Sequence, residues 1–253
     1  MQTHRKPKYP PTHPMDDGML TLSSIDEIHL TASSEYKGGL LEGAMPEDVR
    51  DFFLKASTEV LAPVFRKTTK IDGKTGMTDL SIYPDNIFPN HVVDFIDSIS
   101  FEFNKAYPGE CVFGVQDPRA EELNNIFPRF HFDTRDNEPE ATYRGLICVS
   151  DDDCNHESEW VATNGLSQDD LLNHYRGVNK PLNKMKKELQ GKVQVNKPRD
   201  LFIFKGLSRQ MNDAQRNGSL HRSPPFKHDY RDRSIRRVGL VWNKEIEVEC
   251  NMG

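Results

Sequence analysis

The stretch FPRFHFDT, residues 127–134, sets His131 and Asp133 two positions apart in a run of bulky apolar side chains. In a strand, residues i and i+2 share a face, so imidazole and carboxylate project together while Phe130 and Phe132 pack behind. Such a face is not a simple dry core, because burying an unpaired carboxylate is expensive. A bound metal removes that cost, and one imidazole with one carboxylate suits non-haem Fe(II). The bland alternative is a polar interruption in an edge strand. A third ligand, expected to be a histidine from a distant strand, decides between the two.

Downstream the chain offers His156, His174, His221 and His228. His174 falls in a polar helix-prone segment, and His156 and His228 fall in loop-like stretches. His221 differs, because GSLHRSPP reads as a short strand lying between the strand-like DLFIFKG and RRVGLVW. A barrel brings that position beside His131. Arg222 next to it faces the other way in a regular strand, and structural pairing is the expectation there. Arg236 and Arg237 open the last strong strand, and an arginine fork grips a carboxylate bidentately. Only one of the two faces inward. Arg237 shares its face with Gly239 and Val241, whereas Arg236 shares the more apolar face of Val238, Leu240 and Trp242, so Arg237 is the favoured anchor and Arg236 the alternative. Around them, Arg129, Tyr143, Arg144 and Trp160 are candidates for substrate contact. Two have a structural reading beside that one: a salt-bridged rim residue for Arg129 and a core aromatic for Tyr143, while Trp160 would be an apolar substrate wall. Lys205 is expected to face solvent and Trp242 to be core.

These residues need elements to hold them. CVFGVQ, FPRFHFD, YRGLICVS, SEWVAT, KVQV, DLFIFKG, GSLHRS and RRVGLVWNKEIEVE are short, β-rich and separated by turn residues, a pattern that favours a sandwich or barrel. Ahead of them, residues 46–67 place Val49, Phe52, Phe53, Ala56 and Val60 on one helical stripe, with Pro46 in the first turn. A second helix is expected over 91–107, with Val93, Ile96, Ser100 and Phe103 close to one face. The domain reading is a flexible arm over 1–20, a helical and loop support region over 21–108, and a β core over 109–248. A helix-prone insertion at 166–191 interrupts that core, and Pro181 is expected to bend it.

Composition limits the classes. The chain has 253 residues, enough for a substantial core, with 14 Phe and 7 Tyr arguing against wholesale disorder. Its formal net charge of −6 provides no global field for nucleic acid, which is therefore an unexpected partner. The 4 cysteines form no CxxC pair, so no zinc knuckle or redox dithiol is signalled. The start is polar and Pro-rich without an apolar signal core, and no run approaches the roughly 18–20 apolar residues of a membrane span. A cytoplasmic protein without membrane attachment is the expectation.

His131-x-Asp133, a distant His221 and an arginine on the following strand resemble the pattern of the double-stranded β-helix oxygenases that use Fe(II) and 2-oxoglutarate. The resemblance implies a mainly β fold with flanking helices around a double-stranded β-helix (jelly-roll, cupin-like) core. It implies His131, Asp133 and His221 as the iron ligands and catalytic centre. Arg237, or Arg236, would hold the C5 carboxylate of 2-oxoglutarate, with O2 as the other cosubstrate. Many members carry Ser or Asn two residues after the arginine, touching the cosubstrate; Gly239 stands there instead and opens space. With Asp133 in place, halogenation is disfavoured. The blocks FPRFHxD, TYRG, DxFxFKG, LHRSPP and the RR pair, across about 127–243, also resemble the uncharacterised bacterial DUF1826 family, which assigns no substrate.

The function implied is hydroxylation of a C–H bond of a small polar substrate, such as an amino acid or its derivative. Peptide or protein hydroxylation and oxidative demethylation are the near alternatives. A cupin-like metal protein that is not an oxygenase would use the same histidines but would not need Arg237. A binding sandwich would carry these residues as unrelated surface groups.

Overall fold

The computed structural model describes residues 18–33, 36–59, 77–79, 88–107, 111–116, 143–149, 159–161, 193–205, 219–222 and 239–244. FPRFHFDT, the Pro-rich start, the 166–191 insertion and the Arg236–Arg237 pair lie outside these residues. The strands are β1 (Met19–Thr21), β2 (Gly38–Leu41), β3 (Met77–Asp79), β4 (Cys111–Gln116), β5 (Tyr143–Cys148), β6 (Glu159–Val161), β7 (Val193–Val195), β8 (Leu201–Lys205), β9 (His221–Arg222) and β10 (Gly239–Lys244). Among the described residues they form a larger sheet in the order β1-β2-β8-β5-β10-β4-β3 and a smaller one in the order β7-β6-β9. The β1–β2 pair is parallel and the remaining pairs are antiparallel.

Every described strand from β4 onward falls within a stretch that the sequence marks as strand. β1 and β2 do not. Met19 and Leu20, at the end of the expected arm, are buried in β1, and β2 pairs directly with β8. The signal for β2 is masked because its sequence, GGLL, opens on two glycines that read as loop.

Helices cover one face of the larger sheet. A 3-10 helix, Ile25–Ala32, precedes α1 (Glu47–Glu59) and α2 (Asn90–Ala106). Glu47 and Asp48 sit in the first turn of α1, where acidic groups favour the helix N-terminus. Its stripe behaves as expected where described: Val49 and Phe53 are buried. In α2 the buried stripe is Val92, Phe95, Ile96, Ile99 and Phe103, rotated by about one residue from the expected face through Val93 and Ser100. Val92, Phe95, Ile96, Ile99 and Phe103 are the apolar set at helical spacing, and the indole of Trp242 packs beside it. Its ring meets Phe95 at 6.3 Å, while its Nε1–H donates to Ser100 Oγ at 3.2 Å, leaving Ser100 at the stripe's border. Trp242 is fully buried, as its core reading requires.

Candidate active site

Directly paired residues in an antiparallel ladder point to the same side, so the register assigns faces. In the smaller sheet Trp160 pairs with His221, and Glu159 pairs with Arg222. Trp160 packs with Met19, Phe202 and Phe204 of the larger sheet, so His221 faces the larger sheet as well. Its imidazole lies 4.2 Å from the Phe204 ring, centroid to centroid, and is buried. Arg222 points away and its guanidinium binds the Glu159 carboxylate at 2.6 Å, the pairing that the alternation foretold.

The same reasoning sorts the larger sheet. In β5, Gly145 and Ile147 face the helices; a Cβ on Gly145 would meet Phe103 at 2.8 Å. Tyr143 lies on that helix-covered face too, stacked on Tyr107 at 3.9 Å, so it is across the sheet from His221 and belongs to the packing layer. Arg144 and Leu146 point the other way. Leu146 packs against the Trp160 cluster, and Arg144, half-buried, pairs in register with Phe204, the residue that touches His221. In β10, Leu240 and Trp242 belong to the helix-side core, which leaves Gly239 and Val241 facing the inter-sheet space.

Trp160 is buried at 2% exposure against Met19, Phe202 and Phe204, and its Nε1–H donates to Asn196 Oδ1 at 3.1 Å. Asn196 itself carries no local motif in the sequence. Only its position one residue past β7, on the Trp160 face, marks it. Lys205 corrects an expectation: it is 6% exposed rather than solvent-facing, and its Nζ donates to the Ser33 carbonyl at 2.6 Å. Desolvation holds its pKa down at about 8.

His131, Asp133, Arg129, Arg236 and Arg237 lie outside the described residues. Among the described residues no group of three metal-ligating side chains occurs, and His221 is the one member of the expected trio that can be placed. Its chemistry fits a metal. A carbonyl oxygen only accepts, so the 3.1 Å contact between His221 Nδ1 and Ser219 O puts the proton on Nδ1. Donation from Nδ1–H to a backbone carbonyl is the arrangement that metal-binding histidines use when Nε2 is the ligating atom.

The fold is similar to that of solved structures. A Pseudomonas putida prolyl-4-hydroxylase aligns with a TM-score of 0.52 at 9% identity, over 88% of this chain and 100% of its own. A viral collagen prolyl hydroxylase from Paramecium bursaria Chlorella virus-1 in complex with 2-oxoglutarate gives 0.44 at 10% identity, over 83% and 97%. AviO1 from Streptomyces viridochromogenes Tue57 gives 0.40 at 14%, over 80% and 86%. At such identities it is the first likeness that bears on the chain, and it establishes a shared fold, which among the described residues is mainly strands in two sheets with few helices. No protein-family model and no curated protein matches the sequence, so the resemblance to DUF1826 finds no support. No described helix is long and apolar enough to cross a membrane.

Proposed function

We propose that the chain is an Fe(II)- and 2-oxoglutarate-dependent oxygenase that hydroxylates a C–H bond of a small polar substrate. The observation that carries this reading is His221, a buried imidazole with its proton fixed on Nδ1, aimed between two sheets in a fold shared with a prolyl hydroxylase. Residues 109–248 carry the double-stranded β-helix in this reading and 21–108 buttress it, with β1 and β2 extending the larger sheet. His131 and Asp133 complete the ligand set with His221. When bound, iron and 2-oxoglutarate supply the O2 activation that protein side chains cannot perform.

The chain's own residues do the rest. Leu240 and Trp242 occupy the helix face, which leaves Gly239 and Val241 on the inter-sheet side, and in the sequence Arg237 has the parity of Gly239 and Val241 where Arg236 has that of Leu240 and Trp242. That parity supports Arg237 as the carboxylate anchor. Arg144 presents a guanidinium on the same side of the sheet as the residue that touches His221, suited to a polar or anionic substrate group. Trp160, Phe202 and Phe204 exclude water from one flank. A peptide or protein substrate is the alternative within the same chemistry.

Anaerobic titration with Fe(II) and 2-oxoglutarate is expected to give a weak visible charge-transfer band, lost in His221→Ala and His131→Ala. A folded protein in which neither substitution alters metal binding would reject the site. Arg237→Ala is expected to weaken 2-oxoglutarate binding more than iron binding, and a larger effect from Arg236→Ala would reverse the assignment of the anchor.

A further inference from the structure

We propose that Ser219 is a positioning residue that fixes the ring of His221 and ties it to the N-terminal strands; this rests on the reading of His221 as an iron ligand. The last side-chain torsion of a histidine is broad and roughly two-fold, so the ring has two settings that exchange Nδ1 with a ring carbon. Phe204 lies against the His221 ring at 4.2 Å, with the two planes at 45°. Packing of that kind confines the ring but does not tell its edges apart, because a nitrogen and a ring C–H fill similar space. The hydrogen bond from Nδ1 to Ser219 O, at 3.1 Å, does tell them apart. The setting of the imidazole therefore depends on where the Ser219 carbonyl stands.

That carbonyl belongs to a residue held at two points. Ser219 is 4% exposed. Its backbone N–H donates to Lys205 O, at the end of β8, at 3.0 Å. Its hydroxyl donates to Lys37 O, just ahead of β2, at 2.8 Å. Lys37 O already accepts from Lys205 N–H at 3.2 Å, so the hydroxyl is not required to satisfy a stranded acceptor. What it adds is a second tether on the residue that carries the acceptor for His221. The path continues outward, because Lys37 N–H donates to Gly18 O at 2.8 Å, ahead of β1. Hydrogen bonds thus run from Gly18 through Lys37 and Ser219 to His221, joining the first described residues to the candidate ligand. β1 and β2 do more than widen the larger sheet, since they hold the carbonyl to which the imidazole answers. Outer partners of metal-binding histidines act in this way, orienting the ring and selecting its tautomer.

The test uses the full chain, anaerobic and titrated with Fe(II) alone by calorimetry, beside nitrogen NMR of the His221 ring in metal-free protein. Ser219→Ala deletes the hydroxyl tether and keeps the backbone bonds. It is expected to weaken Fe(II) binding by roughly 10-fold, the lower end for such partners, and to move the ring from the Nδ1–H form towards a mixture of tautomers. Thr31→Ala is the control for general loosening: Thr31 is buried on the helix-covered side of the larger sheet, its hydroxyl bonded to Ile28 O and to Tyr107. That variant is expected to lower the melting temperature and leave Fe(II) affinity unchanged. An equal loss of Fe(II) affinity in the two variants would mark a merely structural role for Ser219 and overturn the assignment. Unchanged affinity and an unchanged Nδ1–H form in Ser219→Ala would overturn it alone and leave the oxygenase reading standing. No uptake of Fe(II) by the unsubstituted protein would overturn that reading and this one together.

Discussion

Lys205 shows how a single buried residue makes stability depend on pH. Desolvation lowers its pKa from 10.5 to about 8. Between those values the unfolded chain keeps a proton that the folded chain has released, so stability rises with pH across the window. Burial raises the Tyr107 hydroxyl, so above its ordinary value of 10.0 that group works in the opposite direction. Denaturant unfolding is therefore expected to show a gain of roughly 2 kcal/mol between about pH 8 and 10, and Lys205→Met is expected to abolish the slope. A flat profile in the unsubstituted protein would contradict the burial. The strand alternation that sorts Arg222 from His221 is legible in the sequence, because side chains alternate with a period of two. The same alternation allows only one of Tyr143 and Arg144 inside, but the sequence does not say which, since that depends on where the helices lie. Asn196 is invisible for another reason. Its partner, Trp160, lies 36 residues away, and nothing local announces the contact.

At the scale of elements, β2 is instructive. Its strand propensity is poor, yet a Cβ on Gly38 would sit 1.9 Å from the Ile203 carbonyl oxygen, so only glycine lets β2 lie against β8. Gly38→Ala is expected to destabilise the protein by about 3 kcal/mol, at the upper end for overpacking, by pushing β2 and β1 off the sheet. Gly43 provides the contrast. Nothing lies within 4 Å of a Cβ there, and the penalty of Gly43→Ala comes from its φ of +60°, about 1–2 kcal/mol. Equal losses in the two variants, measured by thermal melting, would show that the close approach at Gly38 is not what holds β2. α2 makes the complementary point. Its existence and its buried face follow from its own apolar spacing, but the partner of Ser100, the Trp242 indole, comes from 142 residues away in the chain, on β10.

For the whole molecule, the β-rich second half was readable from short apolar runs and their turn residues, whereas strand order was not, because pairing joins segments distant in sequence. A fold shared with a prolyl hydroxylase at 9% identity makes the same point: the fold persists where residue identities do not. If the inter-sheet space binds Fe(II) and 2-oxoglutarate, the two together are expected to raise the melting temperature, with about 2.7 kcal/mol of stabilisation at a ligand concentration 100 times Kd. No shift with saturating ligand would contradict binding to the folded state. The order of the larger sheet also has a consequence in time. β10 lies between β4 and β5, although both emerge from the ribosome long before it. Until residue 244 has cleared the exit tunnel, those two strands expose open edges with no neighbour to pair with, and such edges invite association with other chains. β10 is thus a keystone, closing both edges only once residues 239–244 have emerged.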